Sequence, residues 1–152
     1  MSWEIQIMNM AQHTAVDVIG RLRVIQGLCE EIATRLEDEG SAQTIPRNFE
    51  YEGRRTALLE IAEEIGKTML SLETAASPHQ VDESIQTLFG NIEQRKQQNE
   101  EEQSRNLEYQ HNFRMSELYF TPRGAIAGCE KALEWLRESL KSAGYAQRLK
   151  TS

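Results

Sequence analysis

The first part of the chain carries its clearest hydrophobic pattern. Apolar residues recur there at spacings of three and four, at Met8, Ala11, Ala15, Val18, Leu22, Ile25, Cys29, Ile32 and Leu36. This spacing matches the period of an α-helix with one apolar face, so we predict a helix over about residues 2–39, with Ser2 as its N-cap. Further apolar residues widen the stripe, at Ile5, Ile7, Ile19, Leu28 and Ala33. A face of that width indicates two or more neighbouring helices.

Three further helices are predicted from the same period. The second covers about residues 54–75, after a connection over residues 41–53 that contains Pro46. Ser77 followed by Pro78 is a helix-start signal, because a capping side chain precedes a proline in the first turn, and the third helix is predicted over residues 78–118. Thr121 and Pro122 repeat that signal, which predicts a fourth helix over residues 122–143.

A polar segment, residues 91–106, reads NIEQRKQQNEEEQSRN and has Ile92 as its one strongly apolar residue. The apolar face of the third helix, extended at 3.6 residues per turn, continues in phase beyond it at Tyr109 and Phe113. Because no residue inside it breaks a helix, we predict a continuous helix; the alternative is a flexible hinge between two helical lobes. The sequence therefore predicts an all-α protein, a single domain over residues 1–152 that forms an elongated antiparallel four-helix bundle or helical hairpin with two long and two shorter helices.

Two glycines, Gly20 and Gly27, lie on the predicted first helix opposite its apolar stripe. Each weakens a helix relative to alanine. Either another backbone approaches closely there, or glycine is simply tolerated on a solvated face. The sequence leaves both interpretations open.

Charge restricts the classes of function. The net charge is −7, and residues 121–152 are the only basic stretch. Its cations are Arg123, Lys131, Arg137, Lys141, Arg148 and Lys150. An acidic chain with a short basic tail lacks the clustered positive face that displaces counterions from phosphates, so we do not expect nucleic-acid binding.

Membrane insertion and secretion are not expected either. No apolar run approaches the roughly 20 residues that cross a bilayer, and the first residues lack the basic start and the apolar core of a signal peptide. We therefore expect a cytoplasmic protein with no membrane partner; the alternative is export by a route that uses no such signal. Cys29 and Cys129 are too few for a disulfide framework, and each lies on an apolar helical stripe, so buried free thiols are predicted.

Two acidic motifs are compatible with metal chemistry. Glu108 and His111 form a Glu-x-x-His, the spacing with which one helix offers two ligands to a di-iron site, but there is no second copy. Glu60, Glu63 and Glu64 supply a Glu-x-x-Glu that resembles the first element of the all-helical NTP pyrophosphohydrolases, whose second element, Glu-x-x-Asp, is absent. These motifs make a small metal-dependent enzyme the alternative function. Because Mg²⁺ needs several converging oxygens, we expect no metal, no cofactor and no catalysis.

Two apolar clusters remain as candidate binding surfaces. Their residues are Trp3, Ile5, Ile7 and Met10 near the start of the first helix, and Leu118, Tyr119 and Phe120 near the end of the third. Antiparallel long helices would bring both clusters to one end of the bundle, where they either form core or bind a partner. We therefore predict a non-catalytic interaction protein (an adaptor, a secretion or assembly partner, or an inhibitor) that binds a helical protein or a second copy of itself.

Overall fold

The computed structural model describes residues 2–142, apart from the side chains of residues 7–11 and 13. Its helices are α1 (Trp3–Gly40), α2 (Arg47–Glu73), α3 (Pro78–Arg105) and α4 (Glu117–Ser142), and a short 3-10 helix, Leu107–Tyr109, lies between α3 and α4. Residues 2–142 contain no strand. The predicted all-α class and helical bundle are thus confirmed. α1 has 38 residues and the other three have 26 to 28, so one helix is long where two were predicted.

The predicted caps of the first and third helices are confirmed. The hydroxyl oxygen of Ser2 accepts a hydrogen bond from the backbone N–H of Ile5 at 3.4 Å, and that of Ser77 accepts one from Gln80 at 3.3 Å. Each bond satisfies one backbone donor that the first turn of a helix would otherwise leave without a partner. Short polar side chains at these two positions therefore determine where α1 and α3 begin.

The other two helices begin earlier than predicted. α2 begins at Arg47 rather than at residue 54, because its first turns have neighbours: Tyr51 packs on the core and Gly53 lies against α4. α4 begins at Glu117 rather than at residue 122, and Thr121 is not its cap. The backbone N–H of Phe120 already donates to the carbonyl of Ser116 at 2.9 Å. A proline in the second turn removes only one helical hydrogen bond, so Pro122 is accommodated inside α4.

The third helix ends earlier than predicted, at Arg105 instead of residue 118. The backbone N–H of Asn106 bonds the carbonyls of Glu102 and Gln103 at 3.2 Å, and its side-chain amide donates to Glu102 at 2.8 Å. The chain then reverses over residues 106–116. Beyond Ile92, α3 has no buried residue, so a longer α3 would gain little from burial, whereas the reversal allows α4 to bury an apolar face.

Side-chain contacts between helices establish an up-down-up-down arrangement. Gln26 of α1 donates to the carbonyl of Ala62 at 3.0 Å, and Gly40 lies against Tyr51, so α1 and α2 are antiparallel. α3 is likewise antiparallel to α2 and to α4, as its ion pairs show. These pairs join Arg95 to Glu60 and Glu64, Arg137 to Glu93, and Lys96 to Glu130. α2 and α4 therefore run in the same direction.

α2 and α4 make the closest helix–helix contact of the described bundle. A Cβ atom on Gly53 would overlap the backbone of Thr121, and one on Gly124 would overlap the backbone of Glu50. One turn later, a Cβ on Gly128 would lie 3.1 Å from the carbonyl oxygen of Arg54. Glycines four residues apart let two backbones touch, as in the small-x-x-x-small contacts of closely crossing helices. No described atom lies within 4 Å of the Cβ positions of Gly20 and Gly27, so the close approach considered for them does not occur within this chain.

One continuous hydrophobic core joins the four helices. On α1 its members come from the predicted stripe, with Val18, Leu22, Ile25, Cys29 and Leu36 all buried. The other helices contribute fully buried residues, among them Leu58, Ile61, Ile65, Leu88, Phe89, Ile92, Leu133, Leu136 and Leu140. Each large apolar side chain that leaves water stabilises the fold by roughly 1.5–3 kcal/mol. This core holds the four helices together.

The polar segment is helical as far as Arg105, so the continuous helix is confirmed there and the hinge is not observed. Ile92 packs in the core, and beyond it the segment is attached to its neighbours by charge rather than by apolar packing. Arg95 pairs with Glu60 and Glu64 of α2. Glu93 accepts a 2.8 Å hydrogen bond from Arg137 of α4. Such partly exposed pairs each contribute on the order of 1 kcal/mol or less, so this half of α3 is more weakly held than the half that ends at Ile92.

Candidate interaction surfaces

The predicted cluster at the start of α1 is exposed where the structure describes it. The indole of Trp3 is 74% exposed, and Ile5 is also exposed. The side chains of Ile7 and Met10 lie outside the described residues. Among the described side chains of α1, the first buried one is that of Ala15, three turns further along. Trp3 and Ile5 are therefore available to a partner.

Only one of the three residues in the second predicted cluster is exposed. Leu118 is 39% exposed, whereas Tyr119 and Phe120 are only 7% and 9% exposed. The Tyr119 and Phe120 rings contact each other edge to face, with centroids 4.9 Å apart, and the guanidinium of Arg123 lies 5.9 Å from the Phe120 centroid. Tyr119 and Phe120 thus serve as buried structure at this end of the bundle, and Leu118 alone presents apolar surface.

The two predicted clusters lie at opposite ends of the bundle, so the expected joint apolar end is wrong. The end of α1 at Gly40 lies beside Tyr51, near the start of α2, and the start of α2 contacts α4 at Gly124. Leu118 is therefore near the last turn of α1. Trp3 is at the other end of that helix, which spans about 55 Å at 1.5 Å per residue. The error has one cause: α1 and α3 run in the same direction.

Another group of apolar residues, more exposed than the second predicted cluster, lies on and beside the connection between α3 and α4. We call Leu107, Phe113, Met115 and Leu118 the connection surface; all four are exposed, and the ring of Phe113 is 73% exposed. Ile45, on the α1–α2 connection at the same end, is exposed as well. Sequence reasoning missed this surface because it assigned residues 107–116 to a helix, with Phe113 on its apolar face. The signal that could have revealed it is four apolar residues in twelve positions without a helical stripe into which all of them fit.

Local hydrogen bonds hold the connection surface in place. The side-chain oxygen of Asn112 accepts from the backbone N–H groups of Arg114 and Met115, at 3.0 and 3.1 Å. The hydroxyl of Ser116 donates to the carbonyl of Phe113 at 3.2 Å. Asparagine commonly stabilises a turn in this way, by bonding backbone groups two and three residues ahead. The turn fixes the backbone on both sides of Phe113, so its ring is presented to solvent by an ordered segment.

The acidic motifs do not form a metal centre among the described residues. Glu60 and Glu64 face Arg95, so a guanidinium already neutralises them. Glu108 is in the 3-10 helix and His111 in the turn after it, so the Glu-x-x-His is not displayed by an α-helix. Within residues 2–142, no group of three or more His, Cys, Asp or Glu residues is arranged to hold a metal ion.

The two cysteines and three of the six basic residues have structural contacts, and Arg148 and Lys150 lie outside the described residues. Cys29 and Cys129 are buried free thiols, as predicted. Burial raises the pKa of Cys29 to about 12 and that of Cys129 to about 11, so neither is a thiolate nucleophile near neutral pH. Three of the basic residues considered for nucleic acid are ion-paired, in the pairs Arg123–Glu50, Lys131–Glu134 and Arg137–Glu93.

A shallow groove of about 610 Å³ lies between the end of α2 and the start of α3. Hydroxyl and amide side chains line it, including those of Thr68, Ser71, Ser84, Thr87 and Asn91. Several of them are already bonded within the chain: Thr68 donates to the carbonyl of Glu64, and Asn91 donates to its carboxylate. Glu64, Lys67 and Glu83 also line the groove, so it is polar and partly charged.

Comparison with protein-family models, with curated proteins and with solved structures found no match to this chain. Among the described helices, none combines the length and the apolarity that crossing a bilayer requires. Any proposal for function must therefore come from the surfaces described above.

Proposed function

We propose that this chain is a non-catalytic, cytoplasmic interaction protein that binds another protein through the connection surface. The observation that carries the proposal is the exposure of Leu107, Phe113, Met115 and Leu118 within twelve residues, on a turn held by its own hydrogen bonds. Contiguous exposed apolar side chains on an ordered segment are typical of protein-binding sites. Two buried free thiols are consistent with the reducing environment of the cytoplasm.

Phe113 is the expected anchor of this contact. A phenylalanine side chain offers roughly 200 Å² of surface, so covering the exposed three-quarters of it is worth about 4 kcal/mol at ~25 cal/mol per Å². The polar residues around it, Glu108, His111, Arg114 and Glu117, are exposed and would form a polar rim. An aromatic anchor inside a polar rim is the usual composition of an interface centre.

A second contact at the other end would make the protein an adaptor rather than an inhibitor. Trp3 and Ile5 are exposed at the start of α1, about 55 Å from the connection surface. One partner at each end could bind without touching the other. An inhibitor would need only one such surface, so the presence of two favours an adaptor or assembly role.

The test is quantitative capture from native lysate with the purified full chain as bait. Phe113→Ser removes the anchor, and Leu70→Ser, at an equally exposed residue of α2 outside both clusters, is the matched control. We expect Phe113→Ser to reduce the captured partner at least tenfold and Leu70→Ser to leave it unchanged. Circular dichroism should show both variants folded like the wild type. Equal capture by the wild type and Phe113→Ser would refute this function for the connection surface.

A further inference from the structure

The outward face of α1 has features that the fold of a single chain does not explain. We call Val16, Gly20, Val24 and Gly27 the outer face of α1. Val16 is 69% exposed and Val24 is 70% exposed, and no described atom lies within 4 Å of a Cβ position on either glycine. Glycine and β-branched residues both weaken a helix relative to alanine. Nothing packed within the described chain requires them on this face.

Two charged residues beside this face have no oppositely charged side chain paired with them among the described residues. Arg23 and Glu30 are exposed, and within residues 2–142 neither makes an ion pair. Other charges on α1 do pair along the helix, Arg21 with Asp17 and Arg35 with Glu31. Arg23 and Glu30 are seven residues apart, which is two turns, so they lie on the same side of the helix about 10 Å apart. Gly27 lies between them along the axis.

We propose that a second copy of this chain docks antiparallel on the outer face of α1, with Arg23 of each copy paired to Glu30 of the other. The two-fold axis of this dimer would pass between the levels of Gln26 and Gly27, about 3.5 residues from Arg23 and about 3.5 residues from Glu30. Because the two helices are antiparallel, the arginine of each copy then lies opposite the glutamate of the other. Gly27 lies at the crossing, where the missing side chain lets the two backbones approach. Val24 lies on the opposite side of the crossing from the charges and is covered there.

Charge complementarity identifies the occupant as a second copy. A two-fold axis requires that a surface be complementary to itself, and a cation and an anion at equal distances on either side of the point between Gln26 and Gly27 meet that requirement. An unrelated helix would need no such symmetry. The contact is small, because one helix pair covers less than a standard interface, so we expect a dissociation constant of about 10–100 µM.

This inference concerns a different face from the connection surface and goes beyond the proposed function. If the connection surface binds nothing, the dimer still stands. If the chain is monomeric, capture through Phe113 is unaffected. The two proposals therefore fail independently.

Sedimentation equilibrium of the full chain tests the dimer, from about 1 to 200 µM. The wild type should move from 17.4 kDa towards twice that mass as concentration rises. In the dimer, residue 23 of each copy faces residue 30 of the other. Arg23→Glu and Glu30→Arg therefore each create two contacts between like charges, and each should weaken association at least tenfold. The double charge swap Arg23→Glu/Glu30→Arg should restore it. Glu101→Arg, on the exposed polar segment, controls for the change in net charge and should not weaken the dimer.

Two results would overturn the proposal. One is a wild-type chain that stays at 17.4 kDa throughout the concentration range. The other is a dimer that the single variants leave intact, or that the double swap fails to restore. Because the three substituted positions, Arg23, Glu30 and Glu101, are exposed, these variants should fold normally, and circular dichroism confirms that before sedimentation.

Discussion

Gly124 of α4 lies directly on the carbonyl group of Glu50 of α2, with no room for a side chain between the two helices. Gly53 makes the reciprocal contact with the backbone of Thr121. These contacts bring the first turns of two parallel helices together at the end of the bundle that carries the connection surface. The packing of that end thus depends on two missing Cβ atoms.

Gly124→Ala should lower the free energy of unfolding by about 2–4 kcal/mol, because the added methyl overlaps backbone and the helices must separate. Gly20→Ala is the matched control, since its Cβ position is open on an exposed helix. That variant should raise the stability of the monomer by up to about 1 kcal/mol. Urea unfolding measures both values, at a protein concentration below the micromolar range so that the chain is monomeric. A Gly124→Ala chain as stable as the wild type would contradict the close crossing.

The two cysteines should resist thiol reagents in the folded protein at pH 8. Burial raises their pKa values to about 12 and about 11, so almost no thiolate is present, and the side chains are enclosed. A chromogenic disulfide reagent should label both cysteines at once in urea and neither without it. Rapid labelling of one cysteine in the native state would show that its helix opens easily.

The same thiols make stability depend on alkaline pH. Their folded pKa values are raised above the ordinary value of 9.0, so the unfolded chain releases protons first as pH increases. The stabilisation they provide is complete below about pH 8 and is lost as pH rises from about 9 towards 12. Between pH 8 and pH 10.5, the melting temperature of the wild type should fall more than that of a Cys29→Ala/Cys129→Ala variant. If the melting temperatures of the wild type and the variant fell equally, the thiols would not be the cause of the pH dependence.

Arg95 should contribute more stability than an ordinary surface arginine. It pairs with two carboxylates, those of Glu60 and Glu64, and its side chain is less exposed than that of Arg35. Arg95→Met leaves two carboxylates facing α3 without their cation and should cost about 1 kcal/mol, after allowing for partial solvent exposure. Arg35→Met, which breaks a well-exposed pair with Glu31, should cost less than about 0.5 kcal/mol.

Hydrogen exchange gives an independent readout of the Arg95 contacts. Amides of residues 93–105 should exchange faster in Arg95→Met, while those of residues 81–92 should change little. Uniformly faster exchange along α3 would mean that the polar segment does not depend on these ion pairs.

Divalent metals should not stabilise the protein. Mg²⁺, Mn²⁺ and Fe²⁺ at sub-millimolar concentration are expected to change the melting temperature by less than about 1 °C, because Glu60 and Glu64 are occupied by Arg95. A rise of several degrees with one ion, abolished by Glu60→Gln, would revive the metal-dependent enzyme as a function. Tests for hydrolysis of nucleoside triphosphates would then be justified.

Helical periodicity predicted α1 and the core well, because it is a local property of the chain. The buried residues of α1 are members of the predicted stripe, and Ser2 and Ser77 cap their helices as expected. The boundary between α3 and α4 was predicted wrongly for a reason that is not local. Residues 106–116 contain no proline or glycine, yet the chain reverses there. The position of the reversal depends on which apolar residues of the following helix can be buried.

The candidate binding surfaces were likewise predicted only in part from the sequence. Exposure of Trp3 and Leu118 agrees with a role in binding, but the sequence could not distinguish Leu118 from its buried neighbours Tyr119 and Phe120. Phe113 was assigned to a helical face and is instead displayed by a turn. Three adjacent apolar residues look alike in sequence, and only the position of α4 against α2 determines which of them reaches solvent.

The sequence alone determined that this chain forms amphipathic helices around an apolar core, because burial at a 3.6-residue period stabilises one structure above others. Tertiary structure decided the rest. Gly20 and Gly27 are exposed while Gly53 and Gly124 touch a neighbouring backbone, although all four are glycines within helices. A residue type specifies how much room it leaves, but which helix occupies that room depends on the directions and crossings of all four helices together.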